Sequence, residues 1–328
     1  MADVARLAGV SHQTVSRVLH DSPHVRGETR ERVLAAIRQL DYRPNSMAQA
    51  LVTGRSKTLG VVSFDTTLYG PASTLLGIER AARDAGYGVS VSNLSSLNRD
   101  TVLAAIEQLR DQGVDGVAVI APLQAGVDAL RHVRQDFAVV AVEAGPNGTI
   151  PVATVDQAAG AAAATRHLLS LGHKTVWHLA GPASWKEAEQ RIEGWRSALE
   201  EAGAPVPALL RGDWTPRSGY EVGQTLLEIP DLTAVLAAND QMALGLLRRL
   251  HEAGRTVPLD LSIVGFDDIP EAAYFTPPLT TVRQDFAELG RRCLHILLSR
   301  IKGEDGQTRV VVAPELVVRN STGTPPKR

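Results

Sequence analysis

The chain has 328 residues, which is too long for one small domain and suggests two or three. Apolar residues make up 44% of it, enough to bury a sizeable core, and the net charge of -2 favours no class of partner. The single cysteine, Cys293, excludes an internal disulfide and, with no leader-like start, favours the reducing cytoplasm. No apolar run approaches the roughly 18 residues that a membrane span needs.

The first 40 residues predict three short helices. The first covers 3–8 and ends at Gly9, after which Ser11 can cap the second. The third covers 28–40. Helical spacing predicts that the inward residues of the second and third helices are Val15, Val18, Leu19, Val33, Ile37 and Leu40.

The second helix then presents polar side chains outward, namely His12, Gln13, Ser16 and Arg17. Glutamine can bind adenine, and arginine guanine, through paired hydrogen bonds in the major groove, whereas Thr14 and Ser16 suit phosphate oxygens. Residues 1–57 hold nine Lys/Arg and five Asp/Glu, a net charge of +4, which leaves -6 for the rest. The pattern predicts a DNA-binding helix-turn-helix. From spacing alone, the alternative is a small surface helix with ordinary polar residues.

A linker with a short helix is predicted next. Pro44 and Asn45 can start this helix and Gly54 can end it. About two turns of helix are marginal in isolation, so we expect the helix to need a partner in order to form.

From Leu59 onward, apolar strands alternate with helices. One series contains "TLGVVSF", "YGVSVSNL", "VDGVAVIAP" and "FAVVAVEA", and a second contains "TVWHLAG", "PALLRGDW", "TAVLAAND" and "LSIVGFDD". Two such series predict an α/β fold with two doubly wound parallel-sheet lobes. The strands end in polar or aromatic residues, and ligands bind at the carboxyl ends of strands in such sheets. The sequence therefore predicts a cleft for a polar ligand.

Two long motifs carry a family resemblance. "DVARLAGVSHQTVSRVLHDSPHV" and "TRERVLAAIRQLDYRPNSMAQAL" resemble the DNA-binding headpiece and hinge of the LacI/GalR family of bacterial repressors. "GDW" at 212–214, "ANDQMALG" at 238–245, "GFDD" at 265–268 and "PPLTTVRQDF" at 277–286 are similar to the core of family members. The resemblance therefore runs over nearly the whole chain.

The resemblance implies a headpiece, a hinge and a core like that of periplasmic sugar-binding proteins. The chain is expected to cross between the two core lobes near Thr154, Val282 and Pro314. The implied segments are a helix-turn-helix headpiece at 1–44, a hinge helix and linker at 45–57, an N-terminal lobe at 58–154 plus 283–316, a C-terminal lobe at 155–282, and a flexible tail at 317–328.

The family also implies which residues bind DNA. Residues matching His12, Gln13 and Arg17 read the operator, and the one matching Leu51 is a hinge leucine that wedges into the minor groove and kinks the duplex. Packing between two hinge helices is the alternative for Leu51. The predicted DNA-binding set is His12, Gln13, Thr14, Ser16, Arg17, Asn45 and Leu51.

The effector site implied by the family needs hydrogen-bonding groups for sugar hydroxyls and aromatic faces for the ring. Asp267 and Arg191 can bind neighbouring hydroxyls, and core packing is the alternative for the aromatic residues. Trp185 replaces a small residue of a similar family member, where it can stack on a second ring or cover the cleft mouth. The predicted set is Glu143, Trp185, Arg191, Trp214, Asn239, Asp267, Gln284 and Phe286.

The resemblance implies a cytoplasmic, nucleoid-associated repressor of carbohydrate utilisation, released from a near-palindromic operator by a sugar such as a β-galactoside or another disaccharide. The C-terminal "VVRNSTGTPPKR" lacks leucine heptads, so a homodimer formed by helices such as 72–86 is expected. A family regulator that uses a corepressor and a transport-linked sugar-binding protein remain the alternatives. No G-x-G-x-x-G after a strand, no G-x-S-x-G and no His/Cys metal spacing occurs, so no enzyme, cofactor or metal is expected.

Overall fold

A computed structural model describes residues 1–19, 22–42, 54–133, 136–143, 150–304 and 306–327. These residues form two compact units, Met1–Lys57 and Thr58–Arg328. None of the described helices is long and apolar enough to cross a membrane.

The first unit contains the three predicted helices, α1 (Ala2–Ala8), α2 (His12–Leu19) and α3 (Gly27–Gln39). Gly9 ends α1 in the left-handed conformation, with φ of 62°, which favours glycine. The Thr14 backbone N–H donates to Ser11 Oγ over 3.2 Å, so Ser11 caps α2 as predicted. The buried core of this unit consists of Val4, Ala5, Ala8, Val15, Val18, Val33 and Ala36.

One predicted inward residue of α3 is wrong. Leu40 is 42% exposed, whereas Ala36 is buried and Ile37 packs against the core. The reason is that α3 ends at Gln39, and Leu40 is its C-cap, with φ of -94° and ψ of 3°, outside the helical periodicity.

The predicted hinge lies almost wholly outside the described residues. Of the linker, the structure describes 54–57, where Gly54 has φ of 67°. Asn45, Leu51 and the hinge helix therefore stay predictions.

The first lobe of the second unit is a six-stranded sheet in the order β11-β5-β4-β3-β1-β2, with every pairing parallel. Its strands are β1 (Thr58–Phe64), β2 (Gly88–Leu94), β3 (Val117–Ile120), β4 (Val139–Val142), β5 (Val152–Val155) and β11 (Arg309–Val312). Helices α4 (Tyr69–Asp84) and α11 (Phe286–Lys302) pack on one face, and α5 (Arg99–Asp111) and α6 (Gln124–Leu130) on the other.

The second lobe is a six-stranded sheet in the order β12-β10-β9-β8-β6-β7. Its strands are β6 (Trp177–Ala180), β7 (Leu210–Arg211), β8 (Ala234–Ala237), β9 (Ser262–Asp267), β10 (Thr280–Arg283) and the antiparallel β12 (Glu315–Val317). Helices α7 (Gln157–Ser170) and α8 (Lys186–Glu201) pack on one face, and α9 (Pro216–Leu227) and α10 (Asp240–Glu252) on the other. A 3-10 helix covers Pro270–Tyr274. The predicted α/β class with two doubly wound lobes is confirmed.

The chain passes between the lobes three times, between β5 and α7, between β10 and α11, and between β11 and β12. The prediction of a flexible tail from residue 317 is wrong. Strand β12 pairs with β10, and the fully buried Ser321 accepts a hydrogen bond from Thr280 N and donates one to Ile263 O, at 2.8 and 2.6 Å. These bonds hold the segment in place, although its polar composition is typical of a flexible tail.

Candidate DNA-binding helix and effector cavity

Helix α2 separates an apolar face from a polar one. Val15 and Val18 are buried in the headpiece core, whereas His12, Gln13 and Arg17 are exposed. Gln13 and Arg17 are one helical turn apart, so their side chains project from the same side of the helix.

The hydroxyls predicted to contact phosphate are less exposed. Thr14 and Ser16 are half-buried, and Thr14 Oγ1 lies 3.0 Å from Ser11 Oγ within the helix cap. A phosphate contact by Thr14 would therefore share its hydroxyl with this cap.

A cavity with about 530 Å³ of empty space lies between the two lobes of the second unit. Strand ends build its floor: Glu143 follows β4, Asp267 ends β9 and Gln284 follows β10. All eight residues predicted for the effector site line this cavity, namely Glu143, Trp185, Arg191, Trp214, Asn239, Asp267, Gln284 and Phe286.

A chain of buried polar side chains crosses the cavity wall. Asp267 Oδ1 accepts from Gln284 Nε2 at 2.7 Å, Gln284 Oε1 accepts from Gln157 Nε2 at 2.8 Å, and Gln157 Oε1 accepts from Arg191 Nε at 2.9 Å. Each amide atom of Gln284 makes one hydrogen bond within the protein, so this residue helps to orient Asp267.

Arg191 supplies the positive charge of the cavity wall. Its guanidinium lies 3.6 Å from Asp267 Oδ1, donates to Ala238 O, and stacks 3.8 Å from the centre of the Phe266 ring. Burial raises the pKa of Asp267 to about 6 although the charge of Arg191 opposes that rise. Desolvation therefore outweighs the ion pair at this carboxyl.

Two further carboxyls, Glu143 and Glu187, face the same space. Glu143 accepts from Thr154 Oγ1 at 3.0 Å and from Val155 N at 3.3 Å, and burial raises its pKa well above the ordinary value. The pKa of Glu187 is also raised, first by burial and then by the charge of Glu143. Glu187 Oε2 is buried without a hydrogen-bond partner among the described residues.

Aromatic rings form the apolar walls. The rings of Trp185 and Trp214 meet edge to face with centroids 5.6 Å apart, and Tyr69 meets Phe286 in the same way at 5.9 Å. Trp214 Nε1 is a second buried atom without a hydrogen-bond partner in the described part of the chain. A ligand that enters the cavity can satisfy it.

Trp185 also lies where the two lobes touch. It forms an isolated β-bridge with Leu123 of the first lobe, and Lys186 N donates to Pro122 O over 2.8 Å. Its ring packs against Phe64, 6.3 Å between centroids. This arrangement favours the second predicted role of Trp185, covering the cleft mouth.

Asn239 lines the cavity, but its side chain is engaged. Its Oδ1 caps α10 by accepting from Met242 N at 2.9 Å, and its Nδ2 donates to Trp214 O at 3.0 Å. In this structure Asn239 therefore holds Trp214 and the start of α10 in place.

Gln157 and Glu187 also line the cavity, although the sequence did not predict them as site residues. Glu187 lies four residues before Arg191 on α8, so both side chains project from one face of that helix. This spacing was the signal that could have found Glu187. Gln157 opens α7 directly after a strand end, a weaker signal because its side chain gives no pattern of its own.

A three-helix headpiece with a polar α2 face, followed by a two-lobed core around a polar cavity, defines the class of ligand-responsive DNA-binding regulators. Residues 1–45 match the family of bacterial regulatory proteins, lacI family, and residues 165–322 match a periplasmic binding protein-like domain. The chain belongs to the LacI family of bacterial regulators.

Relatives of known name are similar over nearly the whole chain. The lactose operon repressor of Escherichia coli (strain K12) is 35% identical, covering 98% of this chain and 90% of that protein. The HTH-type transcriptional repressor PurR of Haemophilus influenzae (strain PittEE) is 36% identical, covering 97% of each. The crystal structure of the lac repressor dimer bound to operator and the anti-inducer ONPF superimposes with a TM-score of 0.88 at 34% identity, covering 98% of both chains. The chain is accordingly a LacI-family transcriptional repressor with a ligand-binding core.

Proposed function

We propose that this repressor controls carbohydrate-utilisation genes and leaves its operator when a sugar binds in the interlobe cavity. The first candidates for this sugar are a β-galactoside and other disaccharides. Two repressors of different name are about equally similar to the chain, so sequence identity does not tell which effector it binds. The effector has to be inferred from the side chains that line the cavity.

The observation that carries the proposal is the pair of unpartnered buried atoms. Trp214 Nε1 is a donor without an acceptor, and Glu187 Oε2 is an acceptor without a donor. A buried polar atom left unpaired costs about 1–3 kcal/mol. Sugar hydroxyls both donate and accept, so a single ligand of this class can satisfy both atoms.

The remaining cavity groups support the same class. Asp267 and Arg191 offer a charged acceptor and donor to neighbouring hydroxyls, and Trp214 and Phe286 offer flat apolar surfaces to the sugar ring.

The mechanism couples the cavity to DNA through the lobes. A sugar that contacts both lobes favours one angle between them, and a ligand shifts an equilibrium only by its differential affinity for the two states. We propose that the sugar-bound angle loosens the hinge at 45–57.

In the DNA-bound state, Gln13, Arg17 and His12 read base edges. Thr14, Ser16 and Asn45 contact the backbone, and Leu51 wedges into the minor groove.

The operator has two half-sites, so the repressor acts as a homodimer. Helix α4 provides a candidate surface for contact between the two copies of the dimer, because its residue Leu76 is 46% exposed.

The test combines two measurements on the full chain. A thermal-shift screen of mono- and disaccharides identifies the binding sugar. An operator-release titration with that sugar then shows whether it weakens or strengthens operator binding. Release supports the proposal, and tighter operator binding would identify a corepressor. DNA binding by the intact chain excludes a transport protein, and turnover of the sugar would indicate an enzyme.

A further inference from the structure

Two buried carboxyls of the cavity, Glu143 and Glu187, make no ion pair within the described part of the chain, where Arg191 pairs with Asp267. We propose that Glu143 and Glu187 form a subsite for a positively charged nitrogen and that the effector is an amino sugar. This inference rests on the proposed function, because it narrows the class of sugar that the same cavity binds.

The positive charge already present is committed elsewhere. Arg191 pairs with Asp267, donates to Gln157 Oε1 and Ala238 O, and stacks on Phe266. The cavity wall therefore carries three carboxyls, those of Glu143, Glu187 and Asp267, and one guanidinium, that of Arg191. The guanidinium makes its ion pair with Asp267.

Among the described residues, Glu143 and Glu187 accept hydrogen bonds only from neutral groups. Glu143 accepts from the Thr154 hydroxyl and the Val155 amide. The charge of Arg191 acts on both glutamates, but its ion pair in the described part of the chain is with Asp267. A cation from outside the chain can therefore balance charge that Arg191 alone does not.

A cation suits the free oxygen of Glu187 better than a hydroxyl does. Glu187 is only 9% exposed, so its charge is expensive unless it is paired. A neutral hydroxyl does not offset the charge of either carboxylate, whereas an ammonium group favours the ionised form of both and brings three donors. The Trp185 ring, which lines the same cavity, is a surface on which a cation can also rest.

A ligand can also satisfy Trp214. Its indole nitrogen is buried, 6% of the residue being exposed, and has no acceptor in the described chain. The ligand therefore carries an acceptor oxygen as well as the nitrogen. An amino sugar has both, on one ring.

Stabilisation of the helix end does not explain why an acid is buried at position 187. Acids in the first turn of a helix are favourable, and Glu187 is in the first turn of α8. Glu189 lies in the same turn, is exposed, and pairs with Arg211 at 2.9 Å. Glu189 shows that an exposed acid can stabilise this helix end. Burying the Glu187 carboxylate therefore has a free-energy cost that helix stabilisation does not explain.

The experiment compares matched sugars on the full chain by isothermal titration calorimetry at neutral pH. The pairs are glucosamine with glucose, galactosamine with galactose, mannosamine with mannose, and the β-1,4-linked glucosamine dimer with cellobiose. The N-acetylated forms serve as uncharged controls. We expect at least one amine to bind about tenfold tighter than both its hydroxyl parent and its N-acetyl form.

Variants assign the preference to the two acids. Glu187→Gln and, independently, Glu143→Gln should bring the amine to within about twofold of its hydroxyl parent, whereas the matched surface variant Glu189→Gln should keep the tenfold difference. Melting curves confirm that each variant is folded, and either glutamine variant alone suffices for the test.

Proton release provides a second readout. The groups that face Glu187 are Glu143, Asp267 and Arg191, of which only the two acids titrate near neutral pH. Binding of the amine should release protons from the carboxyl pair, measured as a dependence of the binding heat on the buffer's ionisation enthalpy. The hydroxyl parent should release none.

Each outcome decides between the two proposals. If hydroxyl sugars bind and release operator while no amine binds tighter, the amino-sugar inference is overturned and the proposed function stands. If the preference survives in Glu187→Gln and Glu143→Gln, the nitrogen binds elsewhere and the inference is overturned. If the folded chain binds operator but no sugar of either kind, both proposals fail.

Discussion

Glu187→Gln should stabilise the free repressor at alkaline pH and leave it nearly unchanged at acidic pH. The carboxyl is buried and one of its oxygens has no partner in the described chain. Burial and the nearby charge of Glu143 raise its pKa above the value of 4.5 that it has when solvated. Glutamine has nearly the same shape and carries no charge at any pH.

The sign follows from the proton balance. A carboxyl whose pKa is raised in the folded state binds its proton more tightly there than in the unfolded chain. The wild-type protein therefore loses free energy of unfolding as pH rises from about 4.5 toward the raised pKa, by about 1.4 kcal/mol for each pH unit. Below pH 4.5 the group is protonated in both states and the loss disappears.

The size of the stability difference depends on the pH interval between the unfolded-state and the folded-state pKa of Glu187. Between pH 5 and pH 7 the variant should gain about 2 kcal/mol over wild type, or roughly 4–8 °C in melting temperature. Asp267 and His178 also have shifted pKa values, but they are present in both proteins and largely cancel in the comparison. Glu143 does not cancel, because the charges of Glu143 and Glu187 act on each other.

The assay is thermal unfolding of wild type, Glu187→Gln and Glu189→Gln, each from pH 5 to pH 8 without sugar. Glu189 is exposed, so its variant should follow wild type. Parallel pH curves for wild type and Glu187→Gln would refute the reasoning, because they would mean that Glu187 ionises in the folded protein as easily as in water.

Three further predictions concern DNA and sugar binding. Arg17→Ala should lose discrimination at one base pair per half-site, worth roughly 1–3 kcal/mol in competition binding, and uniform weakening on all sequences would make Arg17 a phosphate contact. Leu51→Ala should keep sugar affinity while weakening operator binding, and unchanged affinity for an operator with its central step intact would remove the wedge. Asp267→Asn should weaken sugar binding by roughly ten- to a thousandfold with operator affinity near wild type, and release at the wild-type sugar concentration would show that Asp267 acts only on the fold.

The local elements were predictable because their signals are local. Ser11 caps α2, Gly9 ends α1, and the spacing of Val15 and Val18 fixes which side of α2 is exposed. Alternating apolar strands and helices likewise predicted both doubly wound lobes. Leu40 failed for a local reason too, because its helix ends one residue earlier than its apolar spacing suggests.

Long-range packing was harder to predict. The segment after residue 317 is polar and rich in proline, yet Ser321 is buried through hydrogen bonds to residues 41 and 58 positions away. The membership of Glu143, Arg191 and Asp267 in one cavity came from the family resemblance, because their separation in sequence carries no spacing signal. Glu187 lies one helical turn before Arg191, but only the fold shows that it faces Glu143.

The contact between the lobes at Pro122 and Lys186 has a consequence for the balance between closed and parted lobes. The backbone bond between these residues and the adjacent bridge from Leu123 to Trp185 join the lobes beside the cavity. Parting the lobes has to break this bond, so the contact stabilises the arrangement in which the lobes meet. Because both groups of the bond belong to the backbone, side-chain substitutions that line the cavity can alter what is recognised while this bond is kept.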